Sequence, residues 1–384
     1  MAIAIRLVAA AALLFGPWTD EATELDGWDV DRFQQIADAP GAPYVDHEVE
    51  YPPGTVAIAE VLLADDVVAS HRRLVALSLL VDLGLAATLA RFWSTRASTV
   101  YLLLGLPLVP SGLLRLDLWA ALAAVIAAAA LTQGPAPRLA SGTYRSGEPT
   151  TKRAGLFAVA AVAGSMIKVW PALLVAAAIG IRRTREATAT VGLGALAGVI
   201  WLGISGTGAV SQITTLRGVT GWHLESIPGS LVSLFGSDQP RLEADAFRIG
   251  TLNDTVVLGG RILTVAVIVL AAGLARRHRA LNAELVALVM LTSASALVVT
   301  APLLSPQFLL WLTPWAAILH TDRLIVTLTA GAVTLTAATL AFFGPPELDH
   351  SVAAAALLGR DALMIALVGV GVWSLGGSNK FEDA

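Results

Sequence analysis

Apolar stretches of about 15 to 25 residues recur along the whole chain, each closed by a short charged or Gly/Pro-bearing loop, and that pattern admits few folds. A helix needs roughly 20 apolar residues to cross a bilayer, so the repeats read as membrane spans. Composition agrees: 56% of the 384 residues are hydrophobic and 14% charged, against roughly a quarter charged in an ordinary soluble domain. The expected fold class is all-α, a polytopic transmembrane helix bundle forming one integral-membrane domain over residues 1–384. With no cysteine, disulfides, thiolate zinc sites and cysteine nucleophiles are excluded. The basic residues are scattered over separate short loops, which leaves no groove for nucleic acid.

The spacing predicts a retained, short first span over Ala2 to Pro17, although its Ala-x-Ala runs would also suit a cleaved signal peptide. Gly54 to Ala64 is too short to cross and reads as a helix dipping into the interface. Further spans are expected at Leu74 to Phe92, Thr99 to Leu113, Leu118 to Leu131, Ala154 to Ile167, Trp170 to Ile181 and Val191 to Ile204. Val256 to Leu274, Leu281 to Val299, Phe308 to Leu319, Leu324 to Phe343 and Val352 to Trp373 complete about twelve. With the N-terminus in the cytoplasm, every strong Lys/Arg cluster falls inside, as the positive-inside rule requires. Those clusters are Arg91 and Arg96; Arg138, Arg145, Lys152 and Arg153; Arg182, Arg183 and Arg185; Arg276, Arg277 and Arg279; and Arg323. Both termini are then cytoplasmic, and the protein lies in the cell membrane.

On this topology the extracytoplasmic parts are an acidic loop (18–53), the Ser111 to Asp117 corner, the Lys168 tip, a long connection (205–255), the Ser305 to Gln307 corner and Gly344 to Ser351. Lys168, Trp170 and Pro171 occupy the tip of a helical hairpin. Lys168 there either snorkels to the headgroups or meets an anion. Asp82 falls within a span and is expected to face the bundle interior, because an ionisable group in lipid is costly.

The acidic loop carries the densest polar chemistry. Val30, Phe33, Ile36 and Ala37 recur at helical spacing and predict a short amphipathic helix able to lie on the membrane, with Asp29 at its start as N-cap or poised base. Pro43 and the Pro52-Pro53 pair predict an extended path whose alternation sets Asp46, Glu48 and Glu50 on one face. Such a trio is either a solvated edge or a divalent-cation ligand set. Arg115 and Asp117 are spaced to pair with each other, and His223 with Glu225 reads as a surface-loop pair or a dyad. Gln307, beside Pro306, either hydrogen-bonds a sugar or satisfies backbone groups at a helix start.

The string Pro43-Tyr-Val-Asp-His-Glu-Val-Glu-Tyr-Pro-Pro-Gly54, preceded by Asp29-Val-x-x-Phe33, resembles the first extracytoplasmic loop of the GT-C class of polyprenyl-phosphate-dependent membrane glycosyltransferases, specifically glycosyltransferase family 87. Leu114-Arg-Leu-Asp-Leu118, Lys168-Val-Trp-Pro171 and Ser305-Pro-Gln-Phe-Leu-Leu-Trp311 fit the same group in the same order, as does Arg217-Gly-Val-Thr-Gly-Trp-His-Leu-Glu-Ser226. The resemblance implies transfer of a hexose, mannose above all, from a polyprenyl-phosphate-sugar donor to a glycan or glycolipid acceptor. It makes Asp29 the general base, four residues before a Phe33 that replaces the more usual Tyr. Asp46, Glu50, Tyr51, Lys168, Arg115, Arg217, His223, Glu225 and Gln307 are the implied substrate contacts, with Lys168 toward phosphate. No cofactor follows beyond the lipid-linked donor and an optional divalent cation. The rival expectation is a transporter or flippase for a lipid-linked or small polar substrate, which the same number of spans would suit; a non-catalytic membrane scaffold is a third.

Overall fold

The computed structural model describes residues 1–16, 28–64, 66–132, 151–214, 218–236, 238–244, 246–278, 282–343 and 350–377. It is 78% helical. In chain order the helices are α1 (Ala2–Phe15), α2 (Trp28–Asp38), α3 (Pro53–Leu62), α4 (Val67–Phe92), α5 (Thr95–Leu104), α6 (Val109–Leu113) and α7 (Asp117–Thr132). There follow α8 (Thr151–Ile167), α9 (Leu173–Gly180), α10 (Thr184–Ser205), α11 (Gly208–Thr214), α12 (Ile227–Phe235), α13 (Asp254–Ala275) and α14 (Ala283–Thr300). The last are α15 (Thr313–Ile318), α16 (Arg323–Phe343) and α17 (His350–Gly376). Polar side chains mark the starts: Asp66 accepts from Ala69 N at 2.7 Å, Ser94 from Ala97 N at 3.0 Å and Asn282 from Leu285 N at 2.7 Å. Each satisfies an amide that the first turn leaves without a partner.

Among the described residues, 5 helices are long and apolar enough to cross a membrane: α4, α10, α13, α14 and Ala353–Gly376 of α17. Large apolar side chains such as Val199, Ile204, Ile262 and Val269 stand exposed on α10 and α13. An apolar surface of that extent is stable against hydrocarbon and not against water, so this is a membrane protein. By contrast α14 is buried along almost its whole length, and it forms the centre of the bundle.

Every segment expected to span is helical, but several are short. Helix α1 and the Trp170–Gly180 limb are shorter apolar helices, and a 14-residue helix such as α1 rises only about 21 Å against a hydrocarbon core of about 30 Å. Leu106–Leu113 and Asp117–Thr132 are bent by 108° at Leu114 to Leu116, which makes them one broken span or a re-entrant pair. Phe308 to Leu319 is a six-residue 3-10 turn (Pro306–Trp311) followed by α15. Irregular backbone at membrane depth is tolerated where protein covers it, and Leu309 to Ile318 are all buried.

Residues 205–255 hold more structure than a loop. Strands β1 (Trp222–His223), β2 (Arg241–Leu242) and β3 (Phe247–Ile249) form an antiparallel sheet in the order β1-β3-β2, so the chain is not strictly all-α. Strands of two or three residues leave no legible alternation in sequence.

Two ends of the bundle are distinguishable. Arg182 donates to the Arg276 carbonyl at 2.7 Å, Arg185 to Thr151 Oγ1 at 3.0 Å, and His278 meets the Leu375 carbonyl at 2.9 Å. These contacts gather three basic loops and the end of α17. Elsewhere Thr55 Oγ1 donates to the Ile167 carbonyl at 2.5 Å, Val49 N to Gln212 at 2.9 Å, and His223 N to the Pro302 carbonyl at 3.3 Å. Arg138, Arg145, Arg279 and the acidic residues before Trp28 lie outside the described residues. Asp82 faces inward as expected, and its partners are Arg6 of α1, at 2.5 Å, and the Tyr101 hydroxyl.

Candidate functional site

The hairpin of α8 and α9 turns at Lys168, whose amide donates to the Gly164 carbonyl at 2.9 Å and closes the helix. Its ammonium does not snorkel outward. Only 16% of the side chain is exposed, and Nζ lies 3.8 Å from Asp117 Oδ2 and 5.3 Å from the Tyr51 ring centroid. Asp117 opens α7 just after the 108° bend and is fully buried. Its Oδ1 accepts from the Trp311 indole N–H at 2.6 Å, which anchors the carboxylate. The Trp311 ring stacks on Trp170 at 5.6 Å and on Phe308 at 4.3 Å. At 3.8 Å the Lys168–Asp117 contact is an ion pair without a hydrogen bond, so the three ammonium donors remain available.

Tyr51 joins this group to the acidic loop. Its ring meets Phe33 edge-on at 5.2 Å, and its carbonyl accepts from the Tyr44 hydroxyl at 2.7 Å. Helix α2 is amphipathic as expected, with Val30, Phe33 and Ile36 buried and Ala37 exposed. It lies against protein and not on a lipid surface: Val30 and Phe33 pack with Ala59, Leu62, Leu74 and Leu116.

The carboxylate trio does not form. Tyr44 adopts φ 70° and the chain turns over residues 44–46, so Asp46 sits in a turn and not on an extended path shared with Glu50. Asp46 folds back to accept from Ala42 N at 2.6 Å, and a Cβ on Gly41, at φ +90°, would overlap it. Glu50 is gripped by Arg32 through Nε at 3.0 Å and Nη2 at 2.8 Å, a two-point charge-assisted pair. Glu48 stays exposed. No group of three or more His, Asp or Glu residues able to hold a metal occurs among the described residues.

Asp29 lies inside α2, one residue past its start, and is therefore not its N-cap; its side chain is outside the described residues. Two positions on, burial raises the Asp31 carboxyl above its ordinary value while His71 of α4 opposes the shift. Asp31 was legible only as one acidic residue among many. His71, fully buried at the start of a span, had no signal in sequence.

His223 and Glu225 are not surface residues. His223 is 8% exposed, and burial, with Arg248 and Arg360 nearby, holds its imidazole neutral by lowering its pKa to about 3. Glu225 is pushed up to about 7 by burial, with Arg360 opposing and Asp361 reinforcing. Arg360 Nη1 lies 3.8 Å from Glu225 Oε2, and the guanidinium is also bound to Asp361, 2.6 Å away, and to the Glu225 carbonyl. Ser230 Oγ completes the group by donating to Asp361 at 2.6 Å. Arg360 and Asp361, inside the last helix, escaped the sequence reading because their partners come from a distant loop. Gln307 is buried in its 3-10 turn and Arg115 is half-buried at the bend; Arg217 is outside the described residues.

The pieces thus fall into two polar groups, Lys168–Asp117–Trp311–Tyr51 and His223–Glu225–Arg360–Asp361. The first offers a cation with free donors beside an aromatic stack, suited to an anionic headgroup. Compared with known proteins, the chain matches no family model and no curated protein.

Proposed function

We propose that this chain is a multi-spanning glycosyltransferase that moves a hexose, mannose being the first to test, from a polyprenyl-phosphate-sugar donor to a glycan or glycolipid on the extracytoplasmic face. Its segments would make about twelve crossings, some broken or short, with both termini in the cytoplasm. One observation carries most weight: four motifs far apart in sequence meet in space. Tyr51 lies over Lys168, Lys168 pairs with Asp117, Asp117 holds Trp311, and Trp311 stacks on Trp170. These are four of the five motifs on which the resemblance to glycosyltransferase family 87 rests.

The chemistry follows from the donor. Asp29 takes the proton from an acceptor hydroxyl, whose oxygen forms the new bond to the sugar's anomeric carbon. The bond from that carbon to the phosphate oxygen breaks, and its electron pair leaves with the lipid phosphate. A phosphate departs without protonation, so the protein's second task is to stabilise that anion, a role for Lys168. Membranes carrying Asp29→Asn at normal protein level should lose transfer from a lipid-linked donor, while Lys168→Met should raise the donor KM. Full activity in Asp29→Asn removes Asp29 from the mechanism.

The transporter reading keeps one supporting observation, the buried Arg6–Asp82 and Arg360–Asp361 pairs within helices, since intramembrane charges often line substrate paths. Uptake of a lipid-linked or small polar substrate into liposomes, without covalent product, would favour it.

A further inference from the structure

Helix α12 is built inside out. A helix on the surface of a water-soluble protein turns its apolar stripe to the core and its polar face to solvent. Here the buried face is Ser226, Gly229 and Ser230, while Leu231, Leu234 and Phe235 form a stripe that points away from the protein, with Phe235 77% exposed. The inner face fits closely: a Cβ at Gly229 would fall 2.0 Å from the His223 carbonyl oxygen. Ser226 Oγ donates to that same carbonyl at 2.7 Å, and Ser230 Oγ donates to Asp361 of α17 at 2.6 Å.

Depth identifies what the stripe faces. Ser230 and the Glu225 carbonyl meet α17 at Asp361 and Arg360, well inside the candidate span Ala353–Gly376. Near the end of that span Trp373 stands 69% exposed, as aromatic residues do at a membrane interface. From Trp373 back to Asp361 the helix rises about 18 Å, so in a hydrocarbon core of about 30 Å Asp361 lies about 12 Å beneath the opposite boundary. This holds whichever end of α17 is cytoplasmic. A second contact agrees. A Cβ on Gly260 would lie 3.0 Å from the Thr300 carbonyl oxygen, so the two are level, and Gly260 stands about 24 Å of helix from Arg276 at the basic end of α13. Pro302, just beyond Thr300, accepts from His223 N at 3.3 Å. His223 is thus close to the boundary, and the chain after it descends to Asp361. The surface of α17 at that level is apolar and exposed at Ala362 and Ile365, so the stripe of α12 continues a surface that already faces hydrocarbon.

We infer that α12 is embedded in one leaflet of the bilayer, its Leu231, Leu234 and Phe235 in contact with lipid acyl chains and its serines turned to the charged residues of α17. The arrangement answers a problem that Arg360 and Asp361 pose. Both lie within a span and both are almost fully buried, and bare charges at that depth would face hydrocarbon at high cost. Helix α12 supplies polar partners on one side and an apolar surface on the other. Being helical, it brings few unpaired amides into lipid: Pro228 has no amide hydrogen, and Gly229 N donates to the capping Ser226 Oγ at 3.2 Å. The inference is independent of the glycosyl-transfer reading.

The chain has no cysteine, so single cysteines report without background. Leu231→Cys, Leu234→Cys and Phe235→Cys are each labelled with a nitroxide in the full chain, reconstituted in phosphatidylcholine nanodiscs. Power-saturation EPR then compares collisions with oxygen, which concentrates in hydrocarbon, and with a nickel chelate, which stays in water. Ile262→Cys on the exposed face of α13 and Glu48→Cys on the acidic loop are the two references, since both positions are exposed. Oxygen should outweigh the nickel chelate at all three α12 positions, as at Ile262, and the order should reverse at Glu48. Nickel collisions at the level of Glu48 would place α12 in water and overturn the inference. Exclusion of both probes would mean that protein covers the stripe, whether a second copy or another segment of this chain, and would overturn it equally. Because a nitroxide could itself draw the helix into lipid, the unlabelled cysteines are also treated with a charged maleimide. It should modify Glu48→Cys at least about tenfold faster than any α12 cysteine, since the reactive thiolate needs water; equal rates would overturn the inference. Any two of the three positions suffice if one variant loses its monodisperse elution.

Discussion

The Arg6–Asp82–Tyr101 group lends itself to a quantitative test, because all three side chains are almost completely buried and tie the first helix to the bundle interior. Arg6 also donates to the Leu102 carbonyl and lies over the Tyr101 ring. Asp82→Asn removes the counter-charge and leaves a buried guanidinium uncompensated. Breaking such a pair from one side costs about 3–5 kcal/mol. At about 2 °C per kcal/mol, the low end of the scale because the chain is large, this lowers the thermal midpoint by roughly 6–10 °C. Arg6→Met should do similar damage by stranding the carboxylate. The double variant Arg6→Met, Asp82→Leu removes both desolvation penalties and should recover most of the loss, since buried pairs replaced by apolar groups are often neutral. The assay is the midpoint of heat-induced loss of the monodisperse peak in detergent, with all three variants compared at equal protein. Additive single-mutant losses in the double variant, with no recovery, would refute the coupling and leave Arg6 as a packing residue alone.

Three other outcomes are expected. Asp29→Asn should cut turnover by about 10² to 10⁴-fold, as loss of a general base does, with Asp31→Asn changing it less than tenfold; the reverse order in a transfer assay would make Asp31 the base. Glu225, with a folded pKa near 7, gives stability present at low pH and lost as pH rises from about 4.5 to 7, whereas His223, held near 3, gives stability lost as pH falls from about 6.5 toward 3. The two slopes oppose each other from about pH 4.5 to 6.5, so Glu225→Gln should make the thermal midpoint climb more steeply with pH across that window, and an unchanged slope would count against the burial of the pair. Lys168→Met should destabilise the protein by stranding Asp117, and adding Asp117→Asn should restore the midpoint without restoring transfer; no stability gain on adding the second change would separate the two residues.

What could be read from sequence was whatever depends on local period. The apolar stripe of α2 follows from spacing, because helical periodicity fixes a side chain's direction wherever backbone is regular; the short helix after Pro52 and the hairpin tip at Lys168 follow from the length of apolar segments and the basic clusters around them, and the inward face of Asp82 from the cost of an ionisable group in lipid. The acidic loop failed for the same reason. Alternation assumes extended backbone, and a turn over residues 44–46, with Tyr44 in the left-handed region, takes Asp46 out of it. Partners distant in sequence were equally hidden: nothing near Lys168 announces Asp117, and nothing near Glu225 announces Arg360. At α5 to α7 and at Pro306 to Ile318 apolar composition continues through a bend or a 3-10 turn, so the breaks there were hidden in sequence.

The short helices bear directly on why Lys168 turns inward. From Lys152 to Lys168 the chain of α8 rises about 24 Å, and the Trp170–Gly180 limb about 18 Å, against a hydrocarbon core of about 30 Å. The open end of this hairpin carries Lys152, Arg153, Arg182, Arg183 and Arg185, charges that hold it at one interface. On the proposed topology its tip would therefore stop several ångströms short of the opposite headgroups. An ammonium there cannot reach water by extending, so it needs a counter-charge, and buried Asp117 supplies it. The bend before α7 brings that carboxylate to the same depth, and Trp311 fixes its orientation. A recessed cation, balanced at rest and screened from bulk water, interacts with an arriving phosphate more strongly than a surface lysine would. The deficit in helix length is thus what would place a lipid headgroup, rather than a soluble anion, within its reach.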